Sequence, residues 1–178
     1  MSVDPRAVLA TAELMFSAGT VAAALDRMSD EITQKLAECA PVVLAVMNGG
    51  AFAAVELCRR FRFPYEFDYV HATRYGPSVS GGTLEWRVDA DVALRGRHVL
   101  LVDDVLDRGI TLAALHARLE GIGIARYETA VLVRKRLAGI SERPRVDYVG
   151  LDAEDRFLFG CGMDYAGYWR GLPEIYAL

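Results

Sequence analysis

The chain has 178 residues, of which 53% are hydrophobic and 25% charged, with a formal net charge of −4 at pH 7. These values predict one globular domain with a sizeable core. The sequence contains no run of about 18 uninterrupted apolar residues, so no membrane span is predicted. The basic residues are scattered apart from a local group at 134–136, which argues against nucleic acid as the main partner.

The cysteines and the N-terminal residues bear on the cellular compartment. Cys39, Cys58 and Cys161 are widely spaced and lack the paired spacing of a zinc or redox site. Charged residues interrupt the apolar positions of residues 1–20, which lack the basic start and continuous apolar run of a secretory signal. We therefore expect reduced thiols and a cytoplasmic protein.

The first elements along the chain are predicted to be helical and then to change to a strand. Apolar residues recur at helical spacing from Val8 to Leu36, which predicts two helices broken near Gly19 within a helical segment of about 1–38. We interpret this segment as packing or as an oligomer surface. A continuous apolar run at 42–47 then stops at 48–50, which predicts a strand and a glycine turn before a helix.

The middle of the chain alternates strands with helices. Extended segments at 67–72 and 83–88 are joined by a stretch rich in glycine, serine and proline. Residues 98–102 predict a central strand with apolar neighbours on both faces, and a helix beginning near Thr111 and a strand at 128–133 follow. This order predicts an α/β fold with a doubly wound, mainly parallel sheet.

The C-terminal part predicts a small accessory lobe. Short extended pieces at 146–151 and 156–159 precede an aromatic tail that contains several glycines and ends at 175–178. We expect about 146–178 to contribute most of this lobe. No internal repeat or linker divides the sequence, so residues 1–178 are predicted to form a single domain.

The acidic loop at 103–111 follows the predicted central strand, at the place where open α/β sheets bind ligands. The adjacent carboxylates of Asp103 and Asp104 can accept hydrogen bonds from neighbouring hydroxyls and can lie near a divalent cation. Residues 107–111 combine a glycine, exposed amides and the Thr111 hydroxyl at a helix start, which favours a phosphate. The alternative is that these acids cap the helix, with Thr111 as N-cap, but the coincidence of all these features favours a ligand.

This stretch resembles the phosphoribosyl-pyrophosphate signature of type I phosphoribosyltransferases, which has four apolar residues, two acidic residues and a loop closing in Gly-x-Thr. In the hypoxanthine-guanine phosphoribosyltransferase branch, the resemblance implies that Asp103 and Asp104 hold the ribose hydroxyls and that Asp107 handles the purine N7 proton. It also implies a type I core with a hood lobe. The residues implied to bind ribose and 5′-phosphate are Asp103, Asp104, Asp107, Arg108, Gly109, Ile110 and Thr111.

Two further loops are similar to loops of that family. The turn at 47–50 can offer backbone donors to a pyrophosphate, although it could also be an ordinary turn. The resemblance implies that Asn48 and Gly49 contact pyrophosphate, with a non-proline cis peptide before Asn48. Many members carry Lys or Arg at that position, and Asn48 does not supply that side-chain charge, whereas the backbone role of Gly49 remains. Arg74 and Tyr75 resemble the start of a mobile lid that excludes water, the alternative being a flexible hairpin.

Base recognition is assigned to three residues by resemblance to VKR-type and DKF-type segments. These imply Lys135 at the purine O6, Phe157 stacked on the ring, and the Leu158 backbone at the ring edge. The alternatives are a solvated charge for Lys135 and a core position for Phe157. A lysine donor favours a 6-oxopurine over adenine, whose amino group would oppose it.

The segment at 162–170 resembles the closing Asp-Tyr segment of the family. This implies that Asp164 helps to fix Mg²⁺ and senses the base, and that Arg170 meets pyrophosphate. Asp103 and Asp104 are implied as further metal ligands, partly through ribose hydroxyls or water. The structural alternatives are a turn cap for Asp164 and an ion pair at the rim for Arg170.

The resulting hypothesis is a purine salvage enzyme that converts hypoxanthine and/or guanine plus 5-phosphoribosyl-1-pyrophosphate to IMP/GMP and pyrophosphate. Xanthine specificity, or a regulatory homologue that binds nucleotide, is the alternative. A receiver domain is disfavoured because too little chain follows Asp103. The expected partners are the sugar diphosphate, a 6-oxopurine and further copies of the chain, as a dimer or tetramer.

Overall fold

The computed structural model describes residues 4–74, 84–88, 94–139 and 142–178, and for 72–74 and 84–88 it describes the backbone alone. Among the described residues, no helix combines the length and apolar character needed to cross a membrane. The helices are α1 (Pro5–Thr11), α2 (Ala18–Leu36), α3 (Gly50–Arg60) and α4 (Ile110–Ile122). The strands are β1 (Glu13–Phe16), β2 (Val42–Met47), β3 (Glu66–Arg74), β4 (Leu84–Val88), β5 (His98–Leu106), β6 (Arg126–Arg136), β7 (Tyr148–Glu154), β8 (Leu158–Phe159) and β9 (Ile175–Ala177).

A six-stranded sheet in the order β4-β3-β2-β5-β6-β7 forms the body of the fold. Its strands are parallel except β4, which runs antiparallel to β3. Alternate residues of β5 face opposite cores: Leu100 packs with α2 and α3, whereas Leu101 packs with α4. The predicted doubly wound, mainly parallel α/β sheet is therefore confirmed.

A second antiparallel sheet, in the order β1-β9-β8, forms the hood lobe. The prediction of two helices broken near Gly19 was wrong for residues 13–16, which form β1 and pair with β9 through Glu13 and Ala177. Ser17 explains the boundary, because its hydroxyl accepts a hydrogen bond from the Thr20 amide at 3.2 Å and starts α2. Gly19 consequently lies within the first turn of α2, and the hood contains chain from before α2 as well as from after β7.

The predicted lobe boundary near residue 146 was also wrong. The strand β7 is the edge of the main sheet, where Tyr148 pairs in parallel register with Ala130 of β6 and is almost fully buried. Asp147, the residue before β7, connects the start of this strand to β6 by accepting a hydrogen bond from the Thr129 amide at 2.9 Å. The C-terminal contribution to the hood therefore begins after Glu154, while the division into a single domain stays a prediction.

Candidate active site

Three chain segments meet at the carboxyl end of the central strands. They are the turn after β2, the end of β5 and the first turn of α4, and they line a cavity of about 530 Å³. The lining includes Met47, Gly49, Asp103, Asp104 and residues 107–112. The predicted acidic pair, phosphate loop and pyrophosphate turn thus lie together.

The acidic pair lies where β5 extends beyond one of its neighbours. Pairing with β2 ends at Val102, whereas pairing with β6 continues to Leu106, so the strand reaches past its predicted end at residue 102. Asp103 Oδ1 accepts a hydrogen bond from the Asp104 amide at 2.9 Å, and Asp104 Oδ1 accepts one from the Val105 amide at 2.8 Å. No Lys or Arg in the described ranges forms an ion pair with either carboxylate.

Burial disfavours the charged form of both acids. It raises the pKa of Asp103 well above that of an ordinary aspartate, and the charge of Asp104 adds to this effect. Burial also raises the pKa of Asp104, against the lowering influence of its hydrogen bonds and of Arg170. A cation or hydroxyl donors would favour the charged forms, which fits the implied Mg²⁺ and ribose. No three His, Cys, Asp or Glu side chains in the described part form a metal-binding group, so the pair would supply only some of the ligands of a cation.

Replacing Asp103 by asparagine is expected to increase the free energy of unfolding at neutral pH. Because the folded-state pKa is raised, the folded chain holds this proton more tightly than the unfolded chain. The contribution of Asp103 to stability is therefore present at acid pH and is lost as the pH rises through the raised pKa. Urea unfolding at pH 7 should show a more stable Asp103→Asn variant, and the gain should vanish at a pH where aspartate is protonated. A variant less stable than wild type at pH 7 would contradict this account.

The turn after β2 packs directly against the acidic pair. The Met47–Asn48 peptide is cis, as the family resemblance implies, and Asn48 is exposed. A methyl group at Gly49 would overlap the Asp104 carboxylate, and one at Gly50 would lie 2.5 Å from the Val102 carbonyl oxygen. These close approaches require glycine and distinguish the turn from an ordinary one.

The phosphate loop ends in a helix start with free amide donors. Gly109 has a φ of 76° and is the N-cap of α4, so Thr111 is the second helical residue and not the N-cap of the alternative interpretation. The amides of the first helical turn have no acceptor within the helix and point toward the place where an anion would bind. Arg108 is exposed beside them.

Lys135 lies beside the phosphate loop. Its side chain is only 12% exposed, and Nζ lies 3.5 Å from Asp107 Oδ2 and 3.8 Å from Asp155 Oδ1. Lys135 is therefore a largely buried charge that faces two carboxylates, not a solvated one. The ion pair connects the residue implied to read the base with the residue implied to handle its proton.

Phe157 precedes the hood strand β8 and is 51% exposed, which excludes the core position of the alternative interpretation. Its ring meets Tyr165 edge to face, with 5.8 Å between the centroids. Leu158 is buried in β8. An exposed aromatic ring held by a second ring is a suitable platform for a planar base.

Asp164 and Arg170 make the contacts that the structural alternatives predicted, a turn cap for Asp164 and an ion pair for Arg170. Arg170 Nη2 lies 2.5 Å from Asp164 Oδ1, and Asp164 Oδ2 accepts a hydrogen bond from the Gly167 amide at 2.6 Å. The structure thus commits both Asp164 oxygens and does not bring Asp164 into a metal-binding group with Asp103 and Asp104 within the described residues.

Two residues of the site had not been identified from the sequence. Gly162 has a φ of 102° and packs against the Gly49 carbonyl and Asp104, and its own carbonyl accepts a hydrogen bond from Arg170 at 2.7 Å. The close spacing of Gly160 and Gly162 is the signal that could have indicated this turn. Arg143 contacts the carbonyls of Asp107 and Lys135, and no sequence pattern indicates such a contact.

The lid prediction falls at the edge of the described chain. Arg74 is the last residue of β3, and its side chain is not described. Tyr75 lies outside the described residues. The lid therefore stays a prediction.

Comparison with known proteins agrees with this geometry. Residues 15–166 match the family described as phosphoribosyl transferase domain. The chain is 35% identical over 141 residues to a hypoxanthine-guanine phosphoribosyltransferase of Aquifex aeolicus, covering 76% of each protein. It is 30% identical to a hypoxanthine-guanine-xanthine phosphoribosyltransferase of Tritrichomonas foetus, over 83% of this chain and 81% of that protein.

A solved structure gives the same assignment. A hypoxanthine-guanine phosphoribosyltransferase of Bacillus anthracis superposes with a TM-score of 0.86 at 25% identity, covering 93% of this chain and 98% of that one. The family match spans the main sheet and the β8 part of the hood, and the acidic pair, phosphate loop and glycine turn lie inside it. The chain therefore belongs to the phosphoribosyl transferase domain family.

Proposed function

We propose that this chain transfers a phosphoribosyl group from 5-phosphoribosyl-1-pyrophosphate to hypoxanthine and/or guanine, giving IMP/GMP and pyrophosphate. The observation that carries the proposal is the ion pair between Lys135 and Asp107 at the edge of the phosphate loop. It joins a donor suited to a 6-oxo group to a carboxylate that could hold the N7 proton. The names of the relatives support the same substrates.

The proposed roles follow the positions of the side chains. Asp103 and Asp104 accept hydrogen bonds from the ribose hydroxyls, and the amides of residues 109–111 hold the 5′-phosphate. The Gly49 backbone and Arg170 meet pyrophosphate, and Phe157 stacks on the base. This distribution sets the sugar between the acidic pair and the phosphate loop, with the base toward Lys135.

In the proposed reaction the purine N9 displaces pyrophosphate at the sugar C1. The transition state carries positive charge on the sugar ring. Asp107 takes or returns the proton at N7 as charge moves through the base. When bound, Mg²⁺ neutralises charge on the departing pyrophosphate. Asp103 and Asp104 are the residues that would hold it, partly through ribose hydroxyls or water.

The surroundings in which this enzyme works belong to the same proposal. We place it in the cytoplasm, because Cys39, Cys58 and Cys161 are free thiols and burial raises the pKa of both Cys58 and Cys161 to about 11. A homodimer or homotetramer is expected, and sedimentation of the purified chain would test it.

Steady-state assays with each base test the proposal directly. The purified chain should form nucleotide from the sugar diphosphate with hypoxanthine or guanine in the presence of Mg²⁺, and a chelator should abolish turnover. Adenine should be a poor substrate, while efficient use of xanthine would favour the alternative specificity. A protein that binds nucleotide and RNA or DNA but forms no product would favour the regulatory alternative.

Replacing Lys135 by alanine is expected to raise the KM for the base about 10- to 100-fold, since a hydrogen bond to a charged donor contributes about 1.5–3 kcal/mol. The KM for the sugar diphosphate should change much less. Lys35, the other lysine of the chain, lies over the Tyr148 ring, so Lys35→Ala is the matched control. Equal KM values for the base in the two variants would remove Lys135 from base recognition.

A further inference from the structure

The connection between β6 and β7 returns to the candidate site through Arg143. Arg143 Nη1 donates hydrogen bonds to the Lys135 carbonyl at 2.7 Å and to the Asp107 carbonyl at 3.2 Å. The side chains of these same two residues form the ion pair beside the phosphate loop. One guanidinium group therefore links the backbones of both members of that pair.

The position of these contacts explains why a side chain is needed there. The ladder between β5 and β6 ends at the pair Leu106 and Arg134, and the chain leaves the sheet at Asp107. Two carbonyl oxygens cannot hydrogen-bond to each other, so beyond this last pair the sheet itself cannot hold residues 107 and 135 together. The Arg143 guanidinium, a donor with several N–H groups in a fixed plane, satisfies both carbonyls.

The next residue supports the same loop independently. The Pro144 ring covers Gly109 so closely that a methyl group on Gly109 would overlap it. Gly109 is the N-cap of α4 and has a positive φ. Arg143 and Pro144 thus contact the phosphate loop at two points, Asp107 and Gly109.

We propose that Arg143 is a positioning residue that holds the Asp107 carboxylate at its place beside Lys135. The inference rests on the proposed function, because it assigns Arg143 the task of placing the group that handles the base proton. Among the described residues, the Arg143 side chain donates its hydrogen bonds to backbone carbonyls, so it would act on the reaction through Asp107. Its removal lets residue 107 move away from the strand that carries Lys135.

Four variants test this inference: Arg143→Ala, Arg143→Lys, Asp107→Asn, and Arg143→Ala combined with Asp107→Asn. Arg143→Ala is expected to lower kcat about tenfold or more, since small misplacements of a catalytic group have effects of this size. The KM for the sugar diphosphate should change less than about threefold, because the amides of residues 109–111 remain. Arg143→Lys should recover part of kcat, since an ammonium group can still donate to a carbonyl.

The double variant separates positioning from a general structural role. If Arg143 acts through Asp107, adding Arg143→Ala to Asp107→Asn should lower kcat by less than about twofold further. Arg145→Ala is the matched control, because Arg145 belongs to the same segment but pairs with Asp147, and it should keep wild-type kcat.

The outcomes distinguish this inference from the proposed function. Losses that multiply in the double variant, or an Arg143→Ala variant equal to Arg145→Ala, would overturn the positioning role while leaving the function in place. A wild-type chain that forms no nucleotide would overturn the proposed function, and this inference with it. Thermal unfolding of each variant completes the test, since a kcat loss that follows a fall in Tm also counts against positioning.

Discussion

An Asp107→Asn variant is expected to lose about 10²- to 10⁴-fold in kcat, the range that a positioned acid or base contributes. The amide keeps the size of the side chain but cannot hold the N7 proton. Affinity for the sugar diphosphate should be close to wild type, because the Asp107 side chain is 51% exposed and the helix amides remain. Single-turnover rates and equilibrium binding of the sugar diphosphate check the two parts separately.

Asp155→Asn is the appropriate comparison for this variant. Asp155 is the second carboxylate facing Lys135, at 3.8 Å, and it is more exposed than Asp107. If the loss in Asp107→Asn arises from proton handling, Asp155→Asn should retain kcat within a few-fold of wild type. Equal losses in both would show that the charge around Lys135, and not acid–base chemistry, is what the substitution removes.

A Gly49→Ala variant is expected to lose kcat/KM for the sugar diphosphate by about 100-fold, since displacements of about 1 Å at a site have effects of this size. The new methyl group would overlap the Asp104 carboxylate. Either the turn or the acidic side chain must then move, and both are proposed to contact the sugar diphosphate. Steady-state kinetics with varied sugar diphosphate at saturating base measures the effect.

Gly121→Ala gives the matched control for a glycine substitution. Gly121 lies inside α4, and a methyl group there meets no atom within 4 Å. This variant should keep full activity and gain up to about 1 kcal/mol in the free energy of unfolding, as alanine favours helix over glycine. If Gly49→Ala kept the wild-type kcat/KM, the turn would accommodate the methyl group without displacing Asp104, and the prediction would be wrong.

Strands whose signal is local were predictable from the sequence. The bounds predicted for β2, residues 42–47, are those observed, because a continuous apolar run ends at glycines on one side and follows a proline on the other. The phosphate loop follows β5 as expected, and the acidic pair precedes it within the last residues of that strand. Their functional groups belong to consecutive residues of the chain, which is why a short sequence motif could locate them.

Features that depend on distant partners were not predictable. The strand β1 has only four residues, and its pairing partner β9 lies at the other end of the chain. Its apolar residues, Leu14 to Phe16, continue a helical spacing, so periodicity alone favoured the wrong element. The contact of Arg143 with two carbonyls depends on backbone positions that only the folded sheet creates.

The pairing of β8 with β9, and of β9 with β1, sets the order in which the site can be assembled during synthesis. The six strands of the main sheet have all emerged once residue 154 has left the ribosome, so the sugar-phosphate half of the site can form early. Phe157 lies beside β8, which gains its partner only when β9 arrives to join β8 to β1, and the Phe157 carbonyl then accepts a hydrogen bond from the Leu178 amide at 3.0 Å. A nascent or truncated chain that lacks residues 175–177 would therefore be able to hold the sugar diphosphate before Phe157 is in place to stack on the base.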